Sequence, residues 1–159
     1  MHQEINFDLD GVDGDGTTAL MWAAFGGHQN VMEILLESDS VDLNKADSIG
    51  LTSLMYACTQ GHENIVSKLL DYKADVNSKD SDGNTALIWA ARMGYDGIVS
   101  MLVGACADVH VNNHKQENAA SEGKDFKKVV RAISKIPKHC SSIAKENDTS
   151  DEVDEDTEF

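Results

Sequence analysis

Apolar residues recur along this chain in two rhythms. At the short scale Leu20, Ala23 and Ala24 fall at helical spacing, as do Leu54, Ala57 and Cys58, and again Leu87, Ala90 and Ala91. Each set is followed by a second helix whose spacing turns Val31, Ile34 and Leu35, then Ile65, Val66, Leu69 and Leu70, then Ile98, Val99 and Leu102 inward, with a polar outer face. At the long scale the segment 80–110 has been written before. A step back of 33 residues lays Gly50, Thr52, Leu54, Ala57, Gly61, Leu69, Asp75 and Asn77 onto Gly83, Thr85, Leu87, Ala90, Gly94, Leu102, Asp108 and His110. A further step of 34 reaches Gly16, Thr18, Leu20, Ala23, Gly27, Leu35, Asp42 and Asn44, the odd residue being absorbed at Ser38-Asp39-Ser40. Self-similarity at this period predicts a solenoid of supersecondary units, each covering the apolar flank of its neighbour.

Local signals fill in the unit. Asp-x-x-Gly builds a tight hairpin tip, and Thr18, Thr52 or Thr85 stands where its hydroxyl can cap a helix N-terminus. Gly27, Gly61 and Gly94 are placed to end that first helix in a left-handed conformation.

The wording of the unit resembles the ankyrin repeat, D-x-x-G-x-T-A/P-L-x-x-A-A-x-x-G-H-x-x-I/V-V-x-x-L-L-x-x-x-A-D-V-N. It is met by DGDGTTALMWAAFGGHQNVMEILL with VDLN, by DSIGLTSLMYACTQGHENIVSKLL with ADVN, and by DSDGNTALIWAARMGYDGIVSMLV with ADVH. The resemblance implies an all-α ankyrin-repeat solenoid of stacked helix-turn-helix units with β-hairpin-like tips. The expected organisation is an N-terminal cap at 1–12, repeats at 13–46, 47–79 and 80–112, a degenerate capping repeat at 113–137, and a disordered acidic tail at 138–159. Two departures from the family pattern recur: Ala19, Ser53 and Ala86 replace the usual proline, and Met21, Met55 and Ile88 replace the usual histidine. His28 and His62 hold family positions that imply a structural role.

The ends are read from the same logic. Ile5, Phe7 and Leu9 are apolar where the first unit's flank needs a cover, so they are expected to cap it. At the other end Ala119-Ala120-Ser121-Glu122-Gly123 resembles the helix ending Ala90-Ala91-Arg92-Met93-Gly94, arriving four residues early. Phe126, Val129, Val130 and Ile133 then suggest a last helix that Pro137, the only proline, closes.

Charge narrows the function classes. The net charge of −15 argues against a nucleic-acid footprint, which needs clustered Lys and Arg. It is also segregated: residues 1–114 hold 17 acidic and 5 basic side chains, residues 115–145 hold 3 and 8, and residues 146–159 hold 8 and none. No apolar run approaches the roughly 18 residues that cross a bilayer, and the N-terminus does not begin like a signal peptide. A cytoplasmic protein is therefore expected, with nuclear access open. Cys58, Cys106 and Cys140 are an odd number at spacings that suggest neither a disulfide framework nor a metal cluster, so they are expected to be reduced. Asp8, Asp10, Asp13 and Asp15 do not fit a calcium loop, because Val12 or Thr17 falls fifth and Ala19 or Ala24 twelfth. They are read as turn residues; no metal site or cofactor is expected.

The resemblance implies non-catalytic protein binding, as an adaptor or scaffold, on the concave wall of hairpin tips and first helices. Its contact positions map to Asp15, Thr17, Trp22 and Phe25 in the first unit. In the second they map to Ser48, Ile49, Leu51, Tyr56, Thr59 and Gln60, and in the third to Ser81, Asp82, Asn84, Trp89, Arg92 and Met93. Trp22, Tyr56 and Trp89 share one repeat position, which suits inter-repeat packing or, with exposed edges, binding hot spots. A regulatory inhibitor of an enzyme such as a kinase is the alternative. An enzyme is disfavoured, since no nucleophile–base arrangement or phosphate-binding loop is found. The partner is expected to be a protein, and the chain a monomer. The terminal Thr157-Glu158-Phe159 resembles a PDZ-domain ligand. Thr149 precedes acidic residues as an acid-directed kinase site does, and Asn44 and Asn77 match positions hydroxylated in ankyrin domains.

Overall fold

The computed structural model describes residues 8–38, 40–122, 131, 134 and 140. Ile5, Phe7, Phe126, Val129, Val130, Ile133 and Pro137, and with them the expected cap contacts and last helix, lie outside the described residues. Among the described residues seven helices follow in order: α1 (Ala19–Gly26), α2 (Gln29–Leu36), α3 (Ser53–Gln60), α4 (Glu63–Asp71), α5 (Ala86–Met93), α6 (Asp96–Gly104) and α7 (Ala119–Glu122). They stand in two rows. An inner row packs α1 on α3, α3 on α5 and α5 on α7, an outer row packs α2 on α4 and α4 on α6, and each odd helix up to α5 leans on the even helix after it. Among the described residues strand pairing is confined to single antiparallel bridges, Val12 with Thr18 and Ala46 with Thr52. This is the all-α solenoid with hairpin-like tips that the repeat implies.

The inner helices start and stop for local reasons. Thr18, Thr52 and Thr85 each accept the N–H of the third residue on, Met21, Met55 and Ile88, at 3.2–3.4 Å, a cap worth about 1 kcal/mol. Met21 completes a reciprocal contact, its sulfur accepting from the Thr18 N–H. With Met55 and Ile88 it fills the core where the family pattern has histidine; all three are buried. Helices α1, α3 and α5 each end on a left-handed glycine, and at Gly61 the need is double: φ is 78°, and a Cβ would sit 2.7 Å from the Tyr95 ring. Ala23, Ala24, Ala57, Cys58, Ala90 and Ala91 are buried between the inner helices, and their small side chains let those helices approach closely.

The outer row corrects one expectation. Ile65, Val66 and Leu69 on α4 and Ile98, Val99 and Leu102 on α6 are buried as expected. On α2, however, the buried residues are Met32, Leu35 and Leu36, while Val31 is 47% and Ile34 71% exposed. Ile65 and Ile98, the counterparts of Val31, lie on helices that pack against the preceding outer helix; among the described residues α2 has none before it.

The tips are linked to one another. Ser48 N–H donates to the Asp15 carbonyl, Ser81 N–H to Ile49 and His114 N–H to Asp82, each at 2.9 Å. The last of these shows a fourth tip in strict register. Asn113 and Gln116 stand where the earlier tips have Asp80 and Gly83, and Gln116 takes the left-handed φ of 64° that glycine takes elsewhere. The Asn118 side chain accepts from the Ala120 and Ser121 N–H groups at the start of α7. Ala119 therefore aligns with Ala86, at the start of a first helix. The expected alignment with Ala90 is corrected, because the tip residues had changed identity while keeping their spacing.

The cysteines correct another expectation. Cys106 and Cys140 form a disulfide, with Cα atoms 5.2 Å apart, and only Cys58 is free. Spacing gave no hint because the bridge joins residues from two different units. Such bonds persist in oxidising surroundings.

Candidate functional site

Each tip is built on one carboxylate. The Oδ1 atoms of Asp13, Asp47 and Asp80 accept two N–H groups of their own turn, at 2.8–3.0 Å. The Oδ2 atoms reach nine residues on, to the aromatic of the following helix. Trp22 Nε1 donates to Asp13 at 3.0 Å, the Tyr56 hydroxyl to Asp47 at 2.6 Å, and Trp89 Nε1 to Asp80 at 2.9 Å. The three aromatics that share one repeat position form a ladder held by a row of acids. The backbone hydrogen bond from Thr17, with the indole donor of Trp22, holds the Asp13 carboxyl below its usual range. Burial, reinforced by Asp47, pushes the Tyr56 phenol up to about 12.

The rings differ in what covers them. Trp22 is 55% exposed and meets Phe25 edge-on, with centroids 6.2 Å apart; Phe25 meets Tyr56 in the same way at 5.9 Å. With Thr17 and Met21 these three rings line a pocket of about 110 Å³. Trp89, half-buried, carries the Arg92 guanidinium 4.8 Å from its ring centre. That guanidinium is also held by Glu122 at 2.6 Å, Asn84 at 3.4 Å and Glu117 at 3.5 Å.

Of the residues mapped as contacts, Asp15, Trp22, Phe25, Ser48, Ile49, Gln60, Ser81, Asp82 and Met93 are exposed along the tips and inner helices. Leu51, Tyr56, Thr59, Trp89 and Arg92 are half-buried, the Thr59 hydroxyl being turned back to the Tyr56 carbonyl. Thr17 and Asn84 are buried, Thr17 in the tip; Asn84, 2% exposed, is spent on Asp80, Arg92 and Asn113. The sequence reading missed Asp13, Asp47 and Asp80 as supports for the rings, and Glu117 and Glu122 as partners of Arg92. The constant nine-residue spacing from tip acid to aromatic was the available signal for the first three.

The remaining candidates are placed as follows. His62 contacts the Phe25 carbonyl at 3.1 Å, tying α3–α4 back to α1, a structural role. Asn44 and Asn77 are exposed, and their side-chain oxygens accept the N–H of Asp75 and Asp108 in the next unit, at 2.7 and 2.8 Å. Full burial pushes the Cys58 thiol well above its usual range, so it is an inert core group. Among the described residues no group of three or more His, Cys, Asp or Glu gathers as a metal site, and no helix is long and apolar enough to cross a membrane. Thr149, Thr157 and Phe159 lie outside the described residues.

A family model described as ankyrin repeats (3 copies) matches residues 2–80 and again residues 40–114. A search of curated proteins returns no match.

Proposed function

Because the chain belongs to the ankyrin-repeat family, we propose that it is a non-catalytic adaptor or scaffold that takes a protein partner on the face formed by its tips and inner helices. Ankyrin repeats generally mediate protein–protein interaction and are typically non-catalytic. The observation that carries the reading is the row of exposed apolar side chains on that face, Trp22, Phe25, Ile49 and Met93, set among acidic and small polar groups. Such clusters rimmed by polar residues mark interaction surfaces, and aromatic side chains are the usual anchors within them.

The test is affinity capture with the full chain, comparing the wild type with Trp22→Ala/Phe25→Ala and Ile49→Ser/Met93→Ser. Partners recovered by the wild type are lost from both variants if the reading is right. Identical recoveries from all three proteins would contradict it. A chain lacking residues 146–159 separates this face from any use of the carboxy-terminal Thr157-Glu158-Phe159 by a PDZ domain.

A further inference from the structure

The third repeat stacks a cation of its own on the inner-helix aromatic, and the first two repeats supply none. At the position three residues after the ladder aromatic stand Phe25, Thr59 and Arg92. The aromatic and the carboxylate beneath it are kept in all three units; the cation is supplied only in the third. There the guanidinium lies on the Trp89 face and is neutralised by Glu122 and Glu117. A flat, weakly hydrated cation on an indole face beside carboxylates is a favourable arrangement, and the chain itself uses it once.

The first two units share the tip carboxylate but not the two glutamates, whose positions are held by Asn84 and Trp89 and by Leu51 and Tyr56. Trp22 and Tyr56 rest on the carboxylates of Asp13 and Asp47, and Asp15 on the first tip is exposed. Lys45, a cation of the neighbouring tip, is occupied by the Asp10 carbonyl at 2.7 Å. The pocket among Trp22, Phe25 and Tyr56 is walled by rings and Met21, which suits the methylene stem of a long basic side chain. We propose that the first two repeats bind an arginine-bearing peptide segment of a partner protein, its guanidinium stacking on Trp22 as Arg92 stacks on Trp89. This rests on the protein-binding reading above and names the chemistry of the partner.

Glu122 and Cys140, which flank the chain's own basic stretch in the sequence, are anchored on the third repeat by Arg92 and Cys106, which argues for an occupant from outside the chain. Beyond Cys140 the chain is acidic, with Lys145 its one cation, and would be repelled by the aspartates of the tips.

The experiment pans a random twelve-residue peptide display library on the full chain, with Trp22→Ala and Trp22→Phe as comparison baits. Enriched peptides are expected to carry arginine several-fold above the input library. Synthetic copies should lose at least tenfold in affinity when arginine becomes glutamine, or when Trp22 becomes Ala, and much less with Trp22→Phe. Affinity should also fall as salt is raised. Enrichment without arginine, equal binding to the Trp22→Ala chain, or no enrichment over blank beads would each overturn the proposal. Arginine peptides held only once Lys124→Gln, Lys127→Gln, Lys128→Gln and Arg131→Gln are combined would assign the face to the chain's own basic stretch, and overturn it too. In any of these cases the capture experiment with Trp22→Ala/Phe25→Ala still decides the broader reading. A partner lost from that variant but indifferent to its own arginines removes the peptide chemistry and leaves protein binding standing.

Discussion

Trp89 and Asp80 are joined by a 2.9 Å hydrogen bond from the indole N–H to a carboxylate that is itself buried and bound to its own turn. The same carboxylate accepts from the backbone of Asp82 and Asn84 and from the Asn84 amide. One side chain thus fixes the tip, the aromatic on the inner helix, and the spacing between them. Replacing Asp80 with Ala leaves several buried donors unpaired and is expected to cost about 3 kcal/mol. Urea unfolding checks it; a loss no larger than that of a surface substitution such as Ser81→Ala would show that the tip does not depend on this carboxylate.

Tyr56 supplies a pH signature. Its phenol is raised from 10.0 to about 12 because the protein favours the neutral form, which donates to Asp47. The stabilisation is therefore complete below about pH 10 and is lost as pH rises through the folded value near 12. Titration of tyrosinate absorbance should show one of the three tyrosines ionising last, and that late step should vanish in Tyr56→Phe. Persistence of the step in the variant would assign it elsewhere.

At Gly61 backbone and packing act together. A left-handed φ disfavours any side chain by about 1–2 kcal/mol, and the Tyr95 ring occupies the space a Cβ needs. Gly61→Ala is expected to lower stability by at least about 2 kcal/mol, and Tyr95→Ala in the same chain should recover part of that loss. Simple additivity of the two changes would argue that the contact is immaterial.

The Cys106–Cys140 bridge spans 34 residues, a closure that constrains the unfolded chain by about 3–4 kcal/mol. Cys106→Ser, Cys140→Ser and the double variant should lose the same amount, since either change removes the whole bond. One thiol per chain, that of Cys58, should titrate in denaturant without reductant. Three titrating thiols, or additive losses, would contradict the pairing.

The repeat, its caps and its helix ends were legible because each depends on residue type at a fixed place: Thr18 at a helix start, Gly27 at its end, Ala23 and Ala24 at the inner contact. What escaped was set by neighbours. Val31 reads like Ile65, yet among the described residues only Ile65 lies on a helix with an earlier outer helix packed against it. The fourth tip was hidden because Asn113 and Gln116 perform with different side chains what aspartate and glycine perform elsewhere. Asn84 and Thr17 sit at positions the family varies, but here their surroundings have closed over them. The disulfide depends on the approach of two distant segments, which no local pattern encodes.

The most direct measurement compares two faces of the same molecule. Partner capture by the full chain is set against capture by Trp22→Ala/Phe25→Ala, on the inner face, and by Val31→Ser/Ile34→Ser, on the exposed side of α2. All four of these side chains are exposed, and a thermal melt of each variant checks that it remains folded. The account predicts that capture is lost with the inner-face variant and retained with the other; retention with the inner-face variant and loss with the α2 variant would contradict it.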